Sequence, residues 1–134
     1  MRTRLTILLS GILISLLVAG AFAAELAVQK NSSGGVTVAV TPQNLAAGAK
    51  NWDFNVRLDT HSQELNDDLV KTTTLIDDKG GRHAPVSWEG AGPGGHHRDG
   101  TLTFNAISPQ VKTIELQIQR PGESSPRSFR WQLK

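Results

Sequence analysis

Two segments of this 134-residue chain combine histidine with carboxylate side chains. The first is Asp59-Thr60-His61, and the second contains the adjacent pair His96 and His97. Imidazole nitrogens are good ligands for copper, nickel and zinc, and a carboxylate can complete the coordination sphere. If the fold brings the two segments together, His61, His96 and His97, with Asp59, could hold a divalent transition metal.

Other ligands could use the same two segments. Residues 89–100 are rich in glycine, and the amides of Gly94 and Gly95 could form an anion-binding nest together with Arg98. The oxygens of residues 59–68 could bind calcium, although their spacing is not that of an EF-hand. The spacing of the residues alone leaves these alternatives open.

A role without any ligand is the competing interpretation of the same residues. Arg98 could pair with Asp59 or Asp99 simply to order the loop, since a guanidinium and a carboxylate form strong charge-assisted hydrogen bonds. A histidine that follows a strand can likewise bond to nearby backbone in a corner. In that case the histidines order the loops, and we expect His61→Ala to lower the melting temperature without metal.

We expect no enzyme activity. Ser62 and Ser87 lie near histidines, but neither occurs in a nucleophile-elbow pattern. Asp59, His61 and Ser62 are too close in sequence to be presumed a triad, because acid, base and nucleophile need independent placement.

Alternation of apolar and polar residues predicts about seven short strands. They cover residues 36–40, 52–58, 69–76, 82–88, 102–104, 114–118 and 129–133. Turn residues separate them, residues 31–35 form a polar lead-in, and no long helical period competes. This pattern is typical of an all-β, immunoglobulin-like antiparallel β-sandwich.

The strand count also predicts where the histidines lie. If consecutive strands are antiparallel, successive connections alternate between the two ends of the sandwich. Residues 59–68 and 89–100 then share one end, together with residues 121–126. His83 belongs at the opposite end, beside the hairpin at residues 77–81.

The N-terminus has the pattern of a signal peptide. A basic start (residues 1–4) precedes an apolar run (residues 5–19) and the small-residue site Ala21-Phe22-Ala23. We expect cleavage after Ala23, a single domain over residues 24–134, and a periplasmic or secreted protein with no membrane attachment. An uncleaved membrane anchor is the alternative.

Composition narrows the functional classes further. The chain has no cysteine, which argues against a lipid-anchored lipoprotein and a disulfide-stapled scaffold. Cleavage would remove two of the 14 basic residues, leaving a formally neutral domain against the 12 acidic ones. Nucleic-acid binding is therefore not expected.

Four blocks carry a resemblance to a known group of proteins. They read LDTHS from Leu58, SWEG from Ser87, GGHHR from Gly94 and RSFRW from Arg127. This combination resembles a family of small bacterial exported domains with an LDTHS…WEG…GGHHR pattern. The resemblance implies an immunoglobulin-like or cupredoxin-like β-sandwich and a bacterial envelope setting, and it implies no activity.

The sequence therefore supports two hypotheses. In the first, His61, His96 and His97, with Asp59, bind copper, nickel or zinc for metal handling or sensing. In the second, the domain is a metal-free structural or interaction module that docks another envelope protein through its loop end or an edge strand.

Overall fold

The computed structural model describes residues 26–133, and the predicted signal peptide (residues 1–23) lies outside that part. Nine strands and one short helix are formed there: β1 (Gln29–Ser33), β2 (Val36–Asn44), β3 (Asn51–Thr60), α1 (Leu69–Thr72), β4 (Thr73–Asp77), β5 (Arg82–His83), β6 (Ser87–Gly90), β7 (His97–Asn105), β8 (Thr113–Ile118) and β9 (Arg127–Gln132). No helix among these residues is long and apolar enough to cross a membrane.

The strands form two antiparallel sheets. One has the order β1-β2-β3-β7-β6 and the other β5-β4-β8-β9. Inward-facing apolar side chains of both sheets form a single core, in which Phe54 and Phe104 meet edge to face at 5.6 Å. The predicted all-β antiparallel sandwich is confirmed, with nine described strands in place of about seven.

The additional strand β1 overlaps the predicted polar lead-in at residues 31–33. Gly34 and Gly35 both have positive φ (57° and 78°), which lets the chain reverse in a two-residue turn. β1 then pairs with β2 along its whole length, from Ser33↔Val36 to Gln29↔Val40. The lead-in prediction is wrong because the two glycines make a tight hairpin there.

Two predicted strands have a different form in the structure. Residues 69–72 are a helical turn, whose N-cap Asp68 accepts a hydrogen bond from the Lys71 N–H at 3.2 Å. The predicted strand at residues 82–88 is divided between the sheets: β5 pairs with β4, and β6 pairs with β7. Pro85, which is buried, lies at the crossing between them.

This division leaves unchanged the predicted distribution of the loops between the two ends of the sandwich. β5 and β6 together cross the sandwich once, so the connection after β6 returns to the end where β3 finished. Strands β6 and β7 approach each other closely where Gly90 is paired with Gly100. A Cβ on Gly100 would lie 2.6 Å from the Trp88 ring. Both glycines are therefore required by the close approach of the two strands.

Candidate functional site

The segments that carry the histidines meet at one end of the sandwich. The Thr60 N–H donates to the His96 carbonyl at 2.9 Å, and the Leu65 N–H donates to the Gly95 carbonyl at 3.0 Å. We call the group formed by residues 61–68, 91–96 and 119–126 the loop end. The prediction that the two histidine segments lie side by side is confirmed.

The prediction that residues 89–100 form one irregular loop is wrong. Strand β6 continues to Gly90 and β7 begins at His97, so only residues 91–96 are irregular. Side chains alternate along β7: His97 and Asp99 are exposed on the outer face, and Arg98 is buried. His97 therefore cannot turn inward in the way that an irregular backbone would allow.

His97 and Asp59 are direct cross-strand neighbours on this outer face. They are paired in the β3–β7 register, with 2.6 Å between Nδ1 of His97 and Oδ1 of Asp59. Asp59 also forms an ion pair with Arg57, with 3.2 Å between Oδ2 and Nε. The side chain of His97 is 67% exposed, so water screens the pair and it adds little to stability.

The other predicted metal ligands are exposed but not grouped. His61 and His96 lie on adjoining segments of the loop end, and both are exposed. Within residues 26–133, no three histidine or carboxylate side chains are arranged so that they could hold a metal ion. The transition-metal site at His61, His96, His97 and Asp59 stays a prediction.

His83 lies at the opposite end, as predicted. Its Nε2 is 3.0 Å from Oδ2 of Asp77 in the β4–β5 hairpin. Hydrogen bonds from His83, and then from the amides of Gly81 and Lys79, lower the pKa of Asp77 below 3.8. This pair orders the hairpin and is separate from the loop end.

A buried charged side chain, Arg98, lies between the two histidine segments and is 2% exposed. Its guanidinium donates to the carbonyls of Asp67 (2.6 Å), Leu65 (3.3 Å) and Ala91 (3.2 and 3.3 Å). Its Cζ also lies 5.7 Å from the centre of the Trp88 ring, within cation–π range. Arg98 therefore joins residues 61–68 to residues 91–96.

Arg98 orders the loop by a route that the sequence did not indicate. Its predicted partners are engaged elsewhere: Asp59 by His97 and Arg57, and Asp99 by Nδ2 of Asn55 at 2.8 Å. The prediction that a carboxylate of Asp59 or Asp99 holds Arg98 is wrong. Backbone carbonyls take that place.

The anion-nest alternative is also wrong for this structure. The N–H of Gly94 donates to the Leu65 carbonyl at 2.9 Å, and four hydrogen bonds already join the Arg98 guanidinium to backbone carbonyls. Calcium binding by residues 59–68 is disfavoured as well, because the Asp67 carboxylate is buried against Arg120. These donors and acceptors serve the fold itself.

Two further buried arginines extend this arrangement. Arg120 donates to both carboxylate oxygens of Asp67, at 2.9 and 3.1 Å, and to Glu123 at 3.3 Å. Glu123 in turn accepts from Arg127 at 2.9 and 2.7 Å. We call Arg98, Arg120 and Arg127, with Asp67 and Glu123, the arginine cluster.

The cluster reaches the β1–β2 hairpin through Arg127. This side chain donates to the carbonyls of Asn31, Ser33 and Val36, at 3.1, 2.8 and 2.8 Å. Hydrogen bonding by Arg127, followed by the charges of Arg127 and Arg120, holds the pKa of the Glu123 carboxyl below its ordinary 4.5. All the connections at the loop end are therefore tied together.

The sequence contains a signal for this cluster that is separate from the histidines. Each arginine continues the inward-facing alternation of its strand: Arg98 precedes Leu102 and Phe104, Arg120 follows Ile118, and Arg127 precedes Phe129. An arginine in the apolar phase of a strand has to be buried with acceptors. Its acceptors, mostly backbone carbonyls, have no sequence signature.

We expect Asp67→Leu to lower the free energy of unfolding by about 3–5 kcal/mol, because it leaves the buried Arg120 without its bidentate carboxylate. Urea unfolding of the domain measures this change. Glu64→Gln, at an exposed acid of the same loop, is the control and should change stability by less than about 0.5 kcal/mol. Equal stability of the two variants would contradict a structural role for the buried pair.

The lowered pKa of Glu123 predicts a pH dependence. The pKa is lower in the folded protein than in the unfolded chain, so the ionised carboxylate stabilises the fold above the ordinary pKa of 4.5. That contribution is lost as the pH falls through the folded pKa. In urea titrations from neutral pH downward, Glu123→Gln should lose less stability below that value than the wild type. If the free energy of unfolding of the variant and of the wild type falls equally with decreasing pH, the prediction is refuted.

The chain matches no protein-family model, no curated protein and no solved structure. The resemblance to small exported bacterial domains therefore stays a prediction.

Proposed function

We propose that this chain is an exported β-sandwich module that recognises another protein of the cell envelope through its loop end. The observation that carries the proposal is the arginine cluster, which holds the backbone of the loop end in one arrangement. Loops that are ordered before binding lose little conformational entropy when a partner docks. Rigid loops on a sandwich scaffold are a common basis of recognition.

The charge of the loop end favours a basic partner. The three arginines of the cluster are at most 5% exposed, and their guanidinium groups bond to acceptors inside the protein. The exposed side chains of the loop end include the acids Glu64 and Asp68. Complementary charge steers two proteins together and suppresses wrong partners. We therefore expect the partner to present lysine or arginine side chains.

The test is capture of proteins from the envelope fraction of the source cells by the immobilised domain, quantified by mass spectrometry. Proteins bound by the wild type should be lost with Glu64→Gln/Asp68→Asn, which removes two negative charges from the loop end and keeps an N-capping side chain at residue 68. Their binding should also weaken as salt is raised.

A matched control changes the net charge equally at the other end of the sandwich. Gln43→Lys/Gln110→Lys adds two positive charges at exposed positions there, and we expect it to capture the same proteins as the wild type. Equal loss with both double variants, or with neither, would argue against recognition by the loop end.

A second candidate is the transition-metal site, which one specific observation favours. Asp59 lies 2.6 Å from Nδ1 of His97, which leaves Nε2 of the same ring facing solvent as a potential ligand. A carboxylate that orients a histidine in this way is common in the outer shell of metal sites. His96 and His61 would have to turn toward that nitrogen, and exposed side chains change rotamer readily.

Calorimetric titration with copper(II), nickel(II) and zinc(II) tests this candidate. If the metal site exists, His96→Ala should abolish binding and His83→Ala should leave it unchanged, because His83 lies at the opposite end. Absence of any binding tighter than about 10 μM, which corresponds to roughly 7 kcal/mol, would rule the site out.

A further inference from the structure

A groove opens between the two sheets at the end of the sandwich opposite the loop end. Its rim is formed by the β2–β3 connection (residues 45–50) and the β7–β8 connection (residues 106–112). Its volume is about 540 Å³, within the roughly 300–1,000 Å³ that small-molecule sites usually have. Its apolar lining includes Leu45, Ala49, Trp52, Ala106, Ile107 and Leu133. The groove is therefore a concave apolar surface of the size that a small ligand needs.

Trp52, which lines this groove, carries a hydrogen-bond donor without an acceptor. Its side chain is 3% exposed, and its Nε1 has no hydrogen-bond partner in the described part of the chain. The indole N–H groups of Trp88 and Trp131, in contrast, donate to the carbonyls of Ala91 and Ala27, at 3.0 and 2.8 Å. A buried indole N–H normally finds an acceptor. For Trp52, the adjoining groove is the space from which a ligand can supply one.

The charge at the groove is positive. Lys50 is the only charged side chain among the described residues that line it. This lysine is exposed and forms no ion pair with any carboxylate that the structure describes. Its backbone is fixed at the rim, because its carbonyl accepts from the Ala106 N–H at 3.0 Å. A cation beside an apolar groove favours a ligand with an apolar body and an anionic group.

We propose that this groove binds an aliphatic monocarboxylate of medium chain length. The carboxylate accepts from Nε1 of Trp52 and pairs with the ammonium group of Lys50, since its two oxygens can serve two donors. The hydrocarbon chain lies against the apolar lining and is removed from water there. The site is at the other end of the molecule from the loop end, so it is independent of protein recognition by the loop end.

The β2–β3 connection allows the ligand to reach the buried N–H. Because Nε1 of Trp52 is buried, part of the rim has to move when a carboxylate enters. Ala46, Ala47 and Gly48 are exposed, and the Ala49 N–H donates to the Ala46 carbonyl at 3.1 Å. This turn is therefore closed by a hydrogen bond within itself. It can move outward as a unit without breaking that bond.

The experiment is calorimetric titration of the protein with octanoate. The wild type should bind octanoate more tightly than about 1 mM and hexanoate about tenfold more weakly, because two CH₂ groups fewer are buried. Lys50→Gln should weaken octanoate binding about fivefold by removing the ion pair. It should leave the binding of uncharged octan-1-ol unchanged. Lys79→Gln, at an exposed lysine of the β4–β5 hairpin that does not line the groove, is the control and should bind octanoate like the wild type.

The indole N–H signals in ¹H–¹⁵N spectra separate binding at Trp52 from non-specific adsorption. Octanoate should shift the Trp52 signal downfield, because this N–H gains a charged acceptor. The signals of Trp88 and Trp131 should stay in place, because their N–H groups already donate to carbonyls. Trp52→Phe identifies the Trp52 signal and should weaken octanoate binding. Circular dichroism confirms that each variant is folded.

The proposal is overturned if the wild type binds octanoate no more tightly than about 1 mM, or if Lys50→Gln and Lys79→Gln bind it equally well. It is equally overturned if octanoate leaves the Trp52 indole signal in place, or if it shifts all three indole signals alike.

Discussion

The buried positive charge of three arginines is the constraint on which the loop end depends. An ionised side chain taken from water into a protein costs several kcal/mol unless charged or polar partners replace its hydration. Here Asp67 and Glu123 supply carboxylates, and the carbonyls of residues 61–68, residues 91–96 and the β1–β2 hairpin supply the remaining acceptors. The loops are therefore ordered because the arginines require their carbonyls.

The same constraint couples the loop end to the edge of the second sheet. Arg127 is the first residue of β9. It forms an ion pair with Glu123 and donates to three carbonyls of the β1–β2 hairpin. Gln29, in the same hairpin, covers Arg130 three residues farther along. The segment that closes the β9 edge is thus held by a residue that also holds the loop end. A substitution that disrupts the arginine cluster would therefore disturb both the loop end and the edge of β9.

The histidines have a different place in the molecule from the one their spacing suggested. They lie at the surface of the protein, outside the buried arginine cluster. His97 is oriented by Asp59 on the outer face of β7, and His61 and His96 are exposed at the loop end. Buried arginines hold the backbone of the loop end, and the exposed imidazoles and carboxylates are the groups that the proposed partner or metal ion would contact.

Alternation of residue types determined much of this fold. It placed apolar side chains such as Phe54 and Leu116 inside, and the reversal of successive strands brought residues 61–68 next to residues 91–96. These features follow from the period of two in a strand and from chain connectivity, and both can be derived from the printed sequence.

Only the tertiary structure decided which groups the arginines bind, that Pro85 marks a crossing between sheets, and that β1 is a strand. The acceptors of Arg98 and the carbonyl of Arg130 are backbone atoms, which every residue carries alike. The type of a residue does not indicate whether its carbonyl will face a guanidinium or a glutamine side chain. Such pairings exist only once distant segments have been packed together.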